Sequence, residues 1–134
     1  MPPSPNIISA PRTKILVVDD NRPAAMSLTW AMETQGYDVM TCFDGPEALS
    51  IADDFLPQVI LLDIGMPVMD GLEVCRRIRA DPLLSGTVVY AQTAWGDALM
   101  RKQTREAGFD RHITKPINLD SLLVLIGSDE QRRH

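Results

Sequence analysis

No stretch of this 134-residue chain stays apolar for anything near the roughly 20 residues that cross a bilayer, and its longest apolar runs are of strand length. The opening Met1-Pro2-Pro3-Ser4-Pro5 has neither the basic start nor the apolar stretch of a secretory signal. The chain is therefore expected to be cytoplasmic, with no membrane insertion. Cysteine is scarce: Cys42 and Cys75 have no metal-ligand spacing and form no disulfide framework. They are expected to be free, buried thiols in a reducing compartment. Basic residues are outnumbered, 13 against 18 acids, for a net charge of −5. That balance disfavours direct nucleic-acid binding, which needs a basic face toward the phosphates. What remains is an ordinary apolar share of 45% on a chain of single-domain size. A chain this long can bury about two-thirds of the surface its unfolded form exposes.

Residues 1–12 hold four prolines and no apolar periodicity, which predicts a flexible tail or linker. Beyond it, short β-branched apolar runs at 14–19, 37–42, 59–63, 88–92 and 111–114 alternate with helix patterns at 45–55, 71–80, 97–107 and 119–126. Another helix is expected between Pro23, a starting residue, and Gly36, a stopping one. Pro57 and Pro82 follow helices they cannot continue, and Asn118 or Asp120 can cap the last one. Strand and helix alternating five times predict an α/β domain with a parallel sheet covered on both faces. The runs Ile15-Leu16-Val17-Val18 and Val59-Ile60-Leu61-Leu62, apolar throughout, are what doubly covered strands require. The domain is expected to span 13–127, leaving 128–134 as a polar tail.

In such sheets the site lies outside the carboxyl ends of the strands. Asp19 and Asp20 follow the first strand, Asp63 ends the third, Thr93 follows the fourth and Lys115 the fifth. Singly, each has a plainer reading: an Asp after a strand caps a helix, Thr93 starts one, and Lys115 is a surface lysine. Together they converge on one rim. Three carboxylates side by side repel unless one protonates or a cation offsets them. An incomplete cage of oxygens suits Mg²⁺, while Cys42 alone is too little to favour zinc. Asp63, fixed at a strand end yet reachable, can act as a nucleophile toward phosphorus. Mg²⁺ and Lys115 would neutralise charge on the phosphoryl oxygens, and the Thr93 hydroxyl and Ala94 N–H could donate to them.

The segments 15–21, 61–71 (with Asp63, Pro67, Asp70 and Gly71 in the spacing Asp-x-x-x-Pro-x-x-Asp-Gly), Gln92-Thr93-Ala94 and Thr114-Lys115-Pro116 resemble the receiver domains of two-component response regulators. The resemblance covers about residues 12–127. It implies a flavodoxin-like three-layer sandwich whose five parallel strands run in the order 2-1-3-4-5, an order of which receivers are themselves an example. It further implies that Asp63 is the phosphoacceptor and that Asp20 binds Mg²⁺ directly, with Asp19 acting partly through water. The Gly65 backbone carbonyl becomes a third protein ligand, and Thr93 and Lys115 contact the phosphoryl group. A cis Lys115–Pro116 bond is implied as well. The donor would be a histidine kinase or a histidine phosphotransfer protein, the downstream partner an unidentified protein, and the chain a monomer or weak homodimer. The segments around Thr93 and 108–116 look most like receivers of hybrid sensor kinases or single-domain regulators.

Three departures stand out. His112 occupies the place, three residues before the lysine, where receivers commonly carry an aromatic switch side chain; it could swing with Thr93 and add pH sensitivity. Gly65 offers no side chain to orient an attacking water, and Trp95 stands two residues after Thr93, so slow loss of the phosphoryl group is expected. The fourth helix carries Arg101, Lys102 and Arg105, which form either a solvated face or a dock for an acidic partner, while Leu99 and Val124 are expected to pack inward. Two other classes fit less well. A phosphohydrolase working through an aspartyl phosphate wants an acid where Gly65 stands. A flavin-binding module wants a phosphate-cradling loop where Asp19-Asp20-Asn21 would repel one.

Overall fold

In a computed structural model describing residues 12–66, 69–94, 96 and 98–132, five strands alternate with five α-helices. They run β1 (Lys14–Val18), α1 (Arg22–Thr34), β2 (Asp38–Cys42), α2 (Gly45–Phe55), β3 (Val59–Asp63), α3 (Gly71–Ala80), β4 (Val88–Thr93), α4 (Ala98–Ala107), β5 (Arg111–Thr114) and α5 (Leu119–Arg132). A short 3₁₀ turn, Pro82–Leu84, precedes β4. All strands pair in parallel, in the order β2-β1-β3-β4-β5. That is the flavodoxin-like order expected. The tail read at 1–12 lies outside the described residues except for Arg12, and so do Pro67, Val68, Trp95 and Asp97.

Side chains alternate across each strand, so one sheet feeds two cores. Leu16, Val18, Ile60, Leu62, Val89 and Ala91 face Ala48, Val74, Cys75 and Ile78 of α2 and α3. Ile15, Val17, Val59, Leu61 and Tyr90 face Ala25, Met32, Leu122 and Ile126 of α1 and α5. Each fully buried Ile or Leu adds about 1.5–3 kcal/mol over exposure. The helices start where the sequence supplies an acceptor for their unpaired N–H groups: Asn21, Asp44, Asp70 and Asn118 each accept from a backbone N–H three residues on. Gly36, at φ 93°, turns the chain after α1 as only a residue without Cβ does easily. Both cysteines are free and buried.

Three expectations need correction. Helix α5 does not end at 126 but runs through Arg132, so Asp129 and Glu130 belong to it rather than to a tail. Asp129 is buried and receives two N–H bonds from Arg111, at 2.9 and 2.8 Å, and the Tyr90 hydroxyl. Glu130 accepts from Thr13 and from Tyr37, both at 2.8 Å. A helix terminus tied to the sheet by such bonds needs no apolar residue to hold it. The other two corrections are Leu99 and Val124, 65% and 72% exposed rather than packed inward. They lie on the outer sides of α4 and α5, whose inward positions are filled by Thr104 and Ala107, and by Leu122 and Ile126.

Candidate functional site

The first acid of the rim is placed by backbone. Asp19 follows the last residue of β1, its N–H donating to the Cys42 carbonyl at 3.2 Å. Its Oδ1 accepts from the N–H of Asn21 at 2.9 Å, which fixes the carboxylate across the turn into α1. Asp20 points to solvent. Asp63, the last residue of β3, is 6% exposed, and its Oδ1 accepts from the Gly65 N–H at 2.9 Å. One carboxylate oxygen from each of Asp19, Asp20 and Asp63 lies within 4.8 Å of the other two.

Lys115 reaches in from the opposite side. Its N–H donates to the Thr93 carbonyl at 2.7 Å, and the following peptide bond to Pro116 is cis. Its Nζ stands 3.4 Å from Asp19 Oδ2 and 3.5 Å from Asp63 Oδ2, one ammonium shared between two carboxylates. Thr93, 2% exposed, closes β4, and Ala94 follows at the surface. His112 stands apart, half-buried on β5 with its Nδ1 3.2 Å from the Thr104 hydroxyl of α4.

Burial dominates the electrostatics. Loss of water pushes the Asp63 carboxyl up to about 6; the Gly65 N–H and the Lys115 ammonium pull it back, and the Asp19 carboxylate pushes it up again. A buried acid held between opposing charges in this way is common at functional sites. The donor set fits a hard cation: three carboxylates, oxygen throughout, one of them open to solvent, facing a single ammonium. The nearby Cys42 sulfur is no competitor, because burial raises its thiol to about 12 and keeps it protonated.

Gly71 carries a role that sequence reading missed. A Cβ there would lie 2.6 Å from both the Asp63 carbonyl oxygen and the Ile64 Cα, so only glycine lets α3 start against the end of β3. A Cβ at Gly65, by contrast, would sit 3.6 Å from Asp63 Oδ1, an ordinary contact. Glycine at 65 is therefore not demanded by space, and it places no side chain against Asp63. Trp95, also expected beside the site, lies outside the described residues.

Residues 15–127 match the family model of the response regulator receiver domain. Among solved structures, the chain resembles a putative response regulator from Chloroflexus aurantiacus, with 28% identity, a TM-score of 0.83, and 89% of this chain and 98% of that one covered. It is also similar to chemotaxis protein CheY4 of Vibrio cholerae, with 28% identity, a TM-score of 0.84, and coverage of 88% and 98%. The BeF3-activated DrrB receiver domain, from a Thermotoga maritima protein, is 30% identical with a TM-score of 0.79 and coverage of 90% and 99%. Receivers of this family bind Mg²⁺ at an acidic pocket. Sheet order, acidic rim and family model agree: the chain belongs to the response regulator receiver domains, phosphorylation-dependent signalling switches rather than conventional enzymes.

Proposed function

We propose that Asp63 accepts a phosphoryl group from a histidine kinase or a histidine phosphotransfer protein, and that Thr93, Ala94 and Lys115 receive it. The observation that carries this is the shared Lys115 ammonium, 3.5 Å from Asp63 at the heart of a three-carboxylate rim. In the step, a lone pair of an Asp63 carboxylate oxygen forms the new O–P bond. The N–P bond of the phosphohistidine breaks, and the leaving imidazole keeps its electron pair and takes a proton from solvent. Asp63 enters the reaction ionised, since near neutral pH its carboxyl, raised only to about 6, has lost its proton. Lys115 is already drawn to the acceptor and can follow the charge onto a phosphoryl oxygen, while Thr93 and the Ala94 N–H donate to the others. Mg²⁺, held by Asp19, Asp20, Asp63 and the Gly65 carbonyl, would supply further neutralisation of phosphoryl charge when bound.

Phosphorylation turns one carboxylate charge into nearly two negative charges on three acceptor oxygens. Thr93 pairs in register with Thr114 of β5, so a pull on Thr93 passes to the strand carrying His112. His112 in turn touches Thr104 of α4. The exposed Arg101, Lys102 and Arg105 of α4 then present a basic face to an acidic protein partner rather than to nucleic acid. The chain acts as a monomer or weak homodimer in the cytoplasm, as a single-domain regulator or the receiver of a hybrid kinase. With Gly65 placing no side chain against Asp63, hydrolysis of the acyl phosphate is slow.

The test is intact mass after incubation with Mg²⁺ and acetyl phosphate, beside an Asp63→Asn control. A single phosphoryl adduct that requires Mg²⁺ and is absent from the control supports the assignment. Absence of an adduct, together with no response to beryllofluoride, defeats it.

A further inference from the structure

The only charged residues of α1 are Arg22 and Glu33, one near each end, and between them Met26 and Trp30 are 52% and 72% exposed. At about 3.6 residues per turn these four side chains fall within roughly 80° of the helix circumference, in one stripe about 17 Å long. The stripe lies on the flank of α1 opposite Ala24, Leu28 and Ala31, which line the cleft beside Asp19 and Lys115. On the stripe's side the sheet ends at β2, so no other described element covers it.

Apolar side chains exposed one by one are ordinary on a protein surface, but these two act together. Met26, Thr29, Trp30 and Glu33, spaced i, i+3, i+4 and i+7, enclose with Ser27 a hollow of about 380 Å³. That spacing makes the four-residue hole into which a side chain of a facing helix packs. Its floor is fixed, because the Thr29 hydroxyl is hydrogen-bonded to the Thr41 hydroxyl of β2 at 2.6 Å. At one end of the stripe the Arg22 guanidinium stacks 4.1 Å from the centre of the Phe43 ring, which holds it at the surface. Among the described residues no ion pair engages either Arg22 or Glu33.

We propose that this stripe binds the same stripe of a second copy of the chain, the two α1 helices running antiparallel across a twofold axis. Such an interface must be complementary to itself, and the order of charges and apolar residues along α1 meets that condition. With the axis level with Leu28, Met26 of each copy enters the hollow of the other beside Trp30, and Arg22 of each comes opposite Glu33 of the other. The two pairings are centred within one residue of each other, so both form in a single register to within about 1.5 Å. A parallel pair would set arginine against arginine and glutamate against glutamate, which charge repulsion disfavours. One helix face per copy supplies far fewer than the roughly 20–30 residues a side of a standard interface, so the dimer is weak. The inference rests on the reading of the chain as a weak homodimer, for which it supplies the surface, and not on phosphoryl acceptance by Asp63.

The experiment is sedimentation velocity of the whole chain, without phosphodonor, from about 10 μM to about 1 mM. The wild type is expected to move from monomer toward dimer across that range. Asp63→Asn, which removes the proposed acceptor, should do the same, so the two readings fail separately. Trp30→Ala should weaken association at least tenfold. Arg22→Glu alone and Glu33→Arg alone should each weaken it about fivefold, since each sets like charges opposite one another. Mixed in equal amounts, those two variants should recover it, because each supplies the charge that the other lacks. All three substituted positions are exposed, so the fold survives the changes. A chain that stays monomeric at about 1 mM overturns the proposal and leaves the stripe to a different protein. Association indifferent to Trp30→Ala overturns it too, as does a mixture of the two charge reversals that associates no better than either alone.

Discussion

Replacing Asp63 by asparagine is expected to stabilise the metal-free fold at neutral pH. The fold holds this carboxyl at about 6 instead of 3.8, chiefly by burying it. Each tenfold change in proton affinity is 1.36 kcal/mol, so keeping Asp63 ionised costs the fold about 3 kcal/mol relative to the unfolded chain. Asparagine removes that cost and keeps an oxygen for the Gly65 N–H; the attraction to Lys115 is already counted in the shift, so the net gain is about 3 kcal/mol. The sign follows from linkage. Below about pH 4 the carboxyl is protonated in both states, and the wild type suffers no penalty. As pH rises from about 4 to about 6 the unfolded chain releases the proton first, and stability that the protonated acid contributed is lost. Above that window the deficit is constant. Urea unfolding in EDTA at about pH 4, 5 and 7.5 should therefore show the two proteins equal at the lowest pH and farthest apart at the highest. A variant no more stable than wild type at the highest pH, or an advantage independent of pH, would refute the claim that burial raises Asp63.

Lys115→Met leaves the three carboxylates without the ammonium that pairs with two of them. Because the lysine is a third exposed, the expected loss is modest, about 1 kcal/mol at neutral pH, with the Asp63 carboxyl driven further up in a carboxyl-carbon NMR titration. Asp129→Ala strands the Arg111 guanidinium and the Tyr90 hydroxyl beneath α5, and urea midpoints should report a loss of about 2–4 kcal/mol. Unchanged midpoints would show that α5 is held by Leu122 and Ile126 alone. Gly71→Ala forces a methyl against backbone at the end of β3, and thermal unfolding should show a loss of about 1–3 kcal/mol together with a smaller Asp63 adduct.

Most of the site could be read from sequence because its residues sit at strand ends, and strand ends are marked by the apolar runs before them. Asp19, Asp63 and Lys115 do meet, as their positions after β1, within β3 and after β5 implied. The end of α5 was harder. Gly127-Ser128-Asp129-Glu130 looks like a tail because apolar periodicity stops, yet Asp129 stands three residues after Ile126 and seven after Leu122, on the same helical face. A carboxylate there is invisible to a hydrophobic pattern and becomes intelligible only beside Arg111 and Tyr90. Gly71 was quoted within a motif, but its necessity depends on a 2.6 Å approach that no spacing reveals. Gln92 reads as an ordinary strand end, and its burial at 1% exposure, with its amide unpartnered among the described residues, shows only in the fold.

The sheet is not equally shut along its width. Every residue of β3 is buried, while the four residues of β5, at the rim of the order, are half-buried or exposed. Amide protons on β3 should accordingly exchange with solvent only through global opening, and those on β5 through smaller local openings. The proposed acceptor, Asp63, thus stands on the slow half of the molecule, and Lys115, which pairs with it, stands beyond the fast one. An event that changes charge at Asp63 will spend little motion on the strand beneath it and release most of it where the backbone can yield.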